Sequence, residues 1–193
     1  MSDNVTPFID FLDSVVPMTK EGKAFMKSRL FTLSLGKGEY AYEIGSVCHR
    51  IGFVTDGVLR VVQLNEDGSE YTKYFINEGH FSVDLESFSS GLPSQEYQEA
   101  LTPCRMIVMT KEMAEVFHTH VEGFSRAVSI LTERALLEKI KIKSEMFTDD
   151  APTRYEKLLE RNPSIIQRVP LQVISSYLGV NQATLSRIRK QLR

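Results

Sequence analysis

The sequence predicts an α+β protein, with a block of short antiparallel strands, then a long helix, then a small all-α end. Three observations predict it. Gly36, Gly38, Gly45, Gly57, Gly68, Gly79 and Gly91 punctuate apolar and β-branched runs at intervals of roughly ten residues, the pattern of successive short strands. From Thr110 to Thr148 there is no proline and only Gly123, with apolar residues at helical spacing. The charge is also divided: from Ala151 onward eight basic residues face two acids (+6), whereas the first 150 residues hold 15 basic and 23 acidic residues (−8).

With 193 residues and 42% hydrophobic content, the chain can form one large domain or two small ones, each with a core. Cys48 and Cys104 are too few for a disulfide framework or a four-thiolate iron–sulfur cluster, and are expected to be buried reduced thiols. The opening "MSDNVTPFIDFLDSVVP" alternates acids with apolar residues and lacks the basic start of a secretory signal. No apolar stretch is long enough to cross a bilayer, so no membrane partner and a cytoplasmic location are expected.

Strands are expected between about Phe31 and Met109, in "FTLSLGKGEYAYEIGS", "RIGFVTDGVLRVVQLNEDGSEYTKYFINEGHF" and "CRMIVMT". "NEDGSE" between "VLRVVQL" and "YTKYFI" is a hairpin signal, because Asp-Gly supplies the left-handed backbone of a tight turn. Strands with no helical pattern between them imply an antiparallel sandwich, roll or barrel. A short helix should follow to about Phe117, and a long one from about Val121 to Phe147. Along the latter, Phe124, Val128, Leu131, Ala135 and Ile142 form one stripe, and Ile130, Leu137 and Ile140 a second. One stripe suffices to dock on the strands, so two point to a dimer helix meeting its own copy. "TDDAP" then breaks the pattern near residue 149, with Asp149 or Asp150 as N-cap of the next helix, "PTRYEKLLERN".

The last segment fits a helix-turn-helix starting at Leu171. Apolar contact positions fall on Ile174, Leu178, Val180, Leu185 and Ile188, the small residue is Ser175, and the turn glycine is Gly179. Asn181 caps the second helix. Gln182, Ala183, Ser186, Arg187 and Lys190 face outward, with Thr184 and Arg189 on the flanks, and no carboxylate follows Glu160. Such a helix fits the major groove of double-stranded DNA, where Arg reads guanine, Gln reads adenine and the remaining cations meet phosphates. The alternative is a degenerate sensor or interaction module whose hairpin contacts protein rather than DNA.

This order of elements resembles the Crp/Fnr family of bacterial transcription regulators. "FVTDGVLRV" (Phe53 to Val61) is similar to the family's roll signature, and "YLGVNQATLSRIRKQL" to its helix-turn-helix. The resemblance implies an N-terminal antiparallel β-roll of the double-stranded β-helix or jelly-roll type with flanking helices (1–120), a long dimerisation helix (121–148) and a C-terminal all-α helix-turn-helix domain (149–193). It implies a homodimer on a palindromic site and contact with RNA polymerase. In relatives that bind cyclic AMP, a short helix carries Gly-Glu-Leu and, further on, an Arg pairs with the cyclic phosphate. Here Val83 stands at the Gly, Asp84 at the Glu and Ser94 at the Arg. Without that guanidinium the phosphate charge would be buried unpaired, so cyclic AMP is not expected. Asp84, Glu86, Ser94 and Gln95 are the candidate lining of a pocket for another effector or for none. In the recognition helix only Arg187 carries over as a base reader. The chain stops at Arg193 with no room for a full wing, for which Arg189, Lys190 and Arg193 are expected to compensate.

No metal, cofactor or enzymatic activity is expected. Of the four histidines, only His49 and His80 fall among the strands, and His118 and His120 are two apart and cannot share a helical face. No nucleophile setting or phosphate-cradling glycine loop stands out.

Overall fold

The computed structural model describes residues 4–192. Two helices open the chain, α1 (Thr6–Val15) and α2 (Lys20–Lys27), the second capped by Thr19, whose hydroxyl accepts from Gly22 N at 3.1 Å. Strands follow as β1 (Phe31–Leu35), β2 (Tyr40–Tyr42), β3 (Arg50–Asp56), β4 (Leu59–Leu64), β5 (Glu70–Ile76) and β6 (Phe81–Ser82). After α3 (Leu85–Ser90) come β7 (Glu96–Ala100) and β8 (Cys104–Thr110). The remainder is helical: α4 (Lys111–His120), α5 (Phe124–Thr148), α6 (Ala151–Arg161), α7 (Pro163–Arg168), α8 (Leu171–Leu178) and α9 (Gln182–Gln191).

The strands form two open four-stranded antiparallel sheets, ordered β1-β8-β3-β6 and β2-β7-β4-β5. The β4–β5 hairpin turns at Gly68, φ +81°, as the Asp-Gly pair predicts. Gly57 is the most constrained glycine. At φ +99°, a Cβ there would lie 2.5 Å from the Pro103 carbonyl oxygen and 2.6 Å from Cys104 Sγ, so the chain crosses at a point where no side chain fits.

Strand alternation divides the core. Leu35, Val54, Met106 and Val108 face inward and meet Val61, Ile76 and Ala100 of the opposite sheet. Phe53, Ile107 and Met109 face outward, where Phe8, Leu12, Phe117 and Phe124 cover them. The rings of Phe8 and Phe11 lie 5.4 and 4.9 Å from that of Phe53. A third cluster joins α6 to α9 and takes in Val58 and Leu101 from the turns beside β4 and β7, so the tail is packed on the roll. Cys48 and Cys104 are buried and free.

The long helix departs from the sequence expectation at both ends and along its stripe. It starts at Phe124 because Gly123, at φ +86°, turns the chain after α4, which itself runs on to His120. Phe124 is fully buried in its own subunit's core and Val128 and Leu131 pack partly on the same cluster, so Phe124 cannot meet a second chain. Ala135 is exposed and Ile142 half-buried. The uncovered apolar surface belongs to Leu136, Leu137, Ile140 and Phe147, at 56, 59, 56 and 81% exposure. No helix among the described residues is long and apolar enough to cross a membrane.

Candidate nucleic-acid interface

The elbow between α8 and α9 is built as its residues dictate. Leu171 begins α8, and Ile174, Leu178, Leu185 and Ile188 are buried between α8, α9 and α6. Ser175 is buried and donates to the Gln172 carbonyl at 2.8 Å. Gly179 ends α8 at φ +66°, the left-handed conformation in which its N–H reaches back to the Ser176 carbonyl at 3.2 Å. Asn181 starts α9, its side-chain oxygen accepting from Thr184 N at 2.8 Å.

With Leu185 and Ile188 inside, the opposite side of α9 is outward. Asn181, Gln182, Ala183, Ser186, Arg187 and Lys190 are exposed, and Thr184 and Arg189 are half-buried on its flanks. Arg193 lies outside the described residues. Three basic residues of the tail are ion-paired within the chain and, among the described residues, the three of α9 are not. Lys157 pairs with Asp149 at 2.7 Å and Glu145 at 3.6 Å, Arg161 pairs with Glu145, and Arg168 grips Glu78 of the roll with two bonds of 2.7 and 2.9 Å. Arg187, Arg189 and Lys190 form no ion pair with a described residue. The protein's own carboxylates thus engage Lys157, Arg161 and Arg168, whereas Arg154 of α6 meets only the Met146 carbonyl, at 3.4 Å, and the cations of α9 have no paired carboxylate among the described residues.

The elbow is fastened to the roll at three points. Besides the Arg168–Glu78 fork, Ser176 Oγ accepts from Thr72 N at 3.1 Å and the Tyr177 ring lies 5.0 Å from that of Phe75. Glu78 also accepts from Gly57 N at 2.8 Å, so the glycine of the roll signature is tied to the tail through one carboxylate. Its bond with Arg168 holds the Glu78 carboxyl down at about 2.

The sequence places four residues in an effector pocket, and the structure brings two of them together. Ser94 is buried and donates to Asp84 Oδ2 at 2.6 Å, while Asp84 Oδ1 caps α3 by accepting from Glu86 N and Ser87 N at 3.1 and 3.2 Å. Glu86 and Gln95 are exposed instead, because Glu86 lies on the solvent side of α3 and Gln95 alternates outward from buried Ser94 and Glu96. The polar centre of the roll lies beside them. Glu96 accepts from the Tyr42 hydroxyl at 3.2 Å and is ion-paired with Lys73. Burial, with Glu96 next, raises the Tyr42 hydroxyl above its ordinary range; burial likewise lowers the ammonium pKa of Lys139, which stands over the Tyr74 ring at 4.4 Å. Sequence reasoning missed Lys73 because a β-bulge opposite Val61 and Val62 inserts it into β5 as an extra residue. Glu96, Gln98 and Glu99 are all polar, so the pattern along β7 does not single out the two that are buried.

Among the described residues no group of three or more His, Cys, Asp or Glu side chains is placed to hold a metal ion.

No protein-family model matches the sequence, and a search of curated proteins returns no match. Solved structures do match. FixK2 from Bradyrhizobium japonicum is 20% identical, with 84% of each chain covered and a TM-score of 0.72. A transcriptional regulator of the Crp/Fnr family from Eubacterium rectale is 16% identical over 90% of this chain and 82% of that one, TM-score 0.67. The c-di-GMP responsive global regulator CLP of Xanthomonas campestris is 14% identical over 87% and 88%, TM-score 0.62. At these identities the likeness establishes the fold, a Crp/Fnr-type α+β arrangement of antiparallel roll, long helix and helical end.

Proposed function

We propose that the chain is a sequence-specific, DNA-binding transcriptional regulator that works as a homodimer and does not respond to cyclic AMP. One observation carries the reading: the outward side of α9 is exposed, free of carboxylates, and holds Arg187, Arg189 and Lys190 outside every ion pair that engages Lys157, Arg161 and Arg168. Gln182, Ala183, Thr184, Ser186 and Arg187 would meet base edges, and Arg189 and Lys190 phosphates. In this reading 1–120 senses, 121–148 dimerises and 149–193 binds DNA, and RNA polymerase is the further partner, all in the cytoplasm.

The dimer reading draws its support from Leu136, Leu137, Ile140 and Phe147, an apolar strip too exposed for a helix that stays single. Against cyclic AMP stands the self-sufficiency of the polar centre, where Ser94 is spent on Asp84 and the Lys73 cation on Glu96, leaving two carboxylates where a phosphate would need a guanidinium. Duplexes selected from a random library, compared with scrambled ones, test the reading. Arg187→Ala should weaken binding to the selected duplex by about 1–3 kcal/mol and leave the scrambled duplex nearly unaffected. Equal weakening on both refutes base reading by Arg187.

A further inference from the structure

A cavity of about 350 Å³ opens between the sheets, and none of Asp84, Glu86, Ser94 or Gln95 lines it. Its walls are the inward side chains Phe31, Leu33, Met106 and Val108, with Ala41 and Val47 opposite. That volume falls within the range of small-molecule pockets and far exceeds what a buried water needs. The alternation of β3 accounts for it. Ile51 and Phe53 pack outward on the helices, leaving Arg50, Gly52 and Val54 facing inward. Gly52 contributes no side chain, and a Cβ there would come within 2.9 Å of Met106 Sδ.

One cation at this cavity has no carboxylate paired with it among the described residues. Arg50 lines it from the exposed first position of β3, its guanidinium reaching the Ala41 carbonyl at 3.5 Å and making no ion pair with a described residue. Of the other charged or titratable groups that line it, Glu112 is engaged by the Thr110 hydroxyl, with His49 beside it, Cys48 donates to the Arg50 carbonyl at 3.4 Å, and Tyr42 is bound to Glu96. Further in, Ser82 also lines the cavity and donates to Gln98, which lies behind it and outside the lining. A guanidinium with no acid of its own at the mouth of an apolar space suits a guest that joins a carboxylate to an apolar body.

We propose that this cavity binds a small monocarboxylic acid with an apolar body, a medium-chain fatty acid or an aromatic acid, its carboxylate on Arg50 and its body against Phe31, Leu33, Met106 and Val108. The site is separate from α9 and stands whether or not α9 binds DNA.

Calorimetry on the full chain, without DNA, compares octanoate with octanol and benzoate with benzyl alcohol. The acids should bind saturably and about tenfold or more tighter than the matched alcohols, since a charge-assisted contact contributes about 1.4 kcal/mol or more. Arg50→Met, at an exposed position, should abolish that preference, and Val47→Trp should weaken acid and alcohol alike. Far-ultraviolet circular dichroism confirms that both variants fold. Absence of saturable binding, equal affinity for acid and alcohol, or an acid preference that survives Arg50→Met overturns the proposal.

Discussion

Lys190→Ala and Lys157→Ala each remove one positive charge from the tail, yet they should act differently on DNA. Lys157 is held by Asp149 at 2.7 Å and Glu145 at 3.6 Å, so its charge is already compensated inside the chain. Lys190 is exposed and pairs with no described carboxylate. Each phosphate contact releases counterions and adds about 0.9 to the slope of log K against log salt. A dimer loses two such contacts per substitution, so Lys190→Ala should flatten the slope by about 1.8, whereas Lys157→Ala should leave it nearly unchanged. Fluorescence anisotropy with one labelled duplex, from about 50 to 200 mM salt, measures both. Equal flattening by the two substitutions refutes the distinction between Lys157 and Lys190.

Four further outcomes follow from the geometry. Gly179→Ala forces a side chain into φ +66° and should destabilise the helical end by about 1–2 kcal/mol in urea melts, with Gly179→Asn costing less. Leu137→Glu combined with Ile140→Glu puts charge on the strip proposed to join two copies, and should turn a sedimenting dimer into a monomer whose circular dichroism is unchanged. The Glu78 carboxyl is held at about 2 in the folded chain against an ordinary 4.5, so its contribution is complete above pH 4.5 and fades as pH falls toward 2; Glu78→Gln should flatten the dependence of the urea midpoint on pH across that window. Cyclic AMP should show no saturable binding at micromolar concentration, because leaving a buried charge unpaired costs about 3–5 kcal/mol; sub-micromolar binding contradicts the reading of Ser94 and Glu96.

Local signals were legible and distant ones were not. Asp150 capping α6 through Thr153 N, Gly179 in the left-handed turn and Asn181 on Thr184 N each depend on residues a few positions apart, and the structure places them as the sequence implies. The outward side of α9 follows likewise from helical period. Phe124 shows the limit: its spacing matches the stripe of a helix pair, but α1 and α4 lie over it, and nothing near it in sequence says so. The roll's polar centre failed for the same reason. Lys73 reaches Glu96 because of a bulge, and Ser94 reaches Asp84 across ten residues that include a helix and a turn. The cavity beside Gly52 depends on which way β3 faces, which pairing with β8 and β6 settles.

The central claim is that the outward side of α9 reads base sequence. Selection of bound duplexes from a random library, run in parallel with the native chain and with Arg187→Ala, tests it most directly. The native chain should enrich a two-fold symmetric site with half-sites about one helical turn apart, and Arg187→Ala should lose preference at one position in each half. Enrichment of no sequence, or of the same site with undiminished preference by Arg187→Ala, contradicts it.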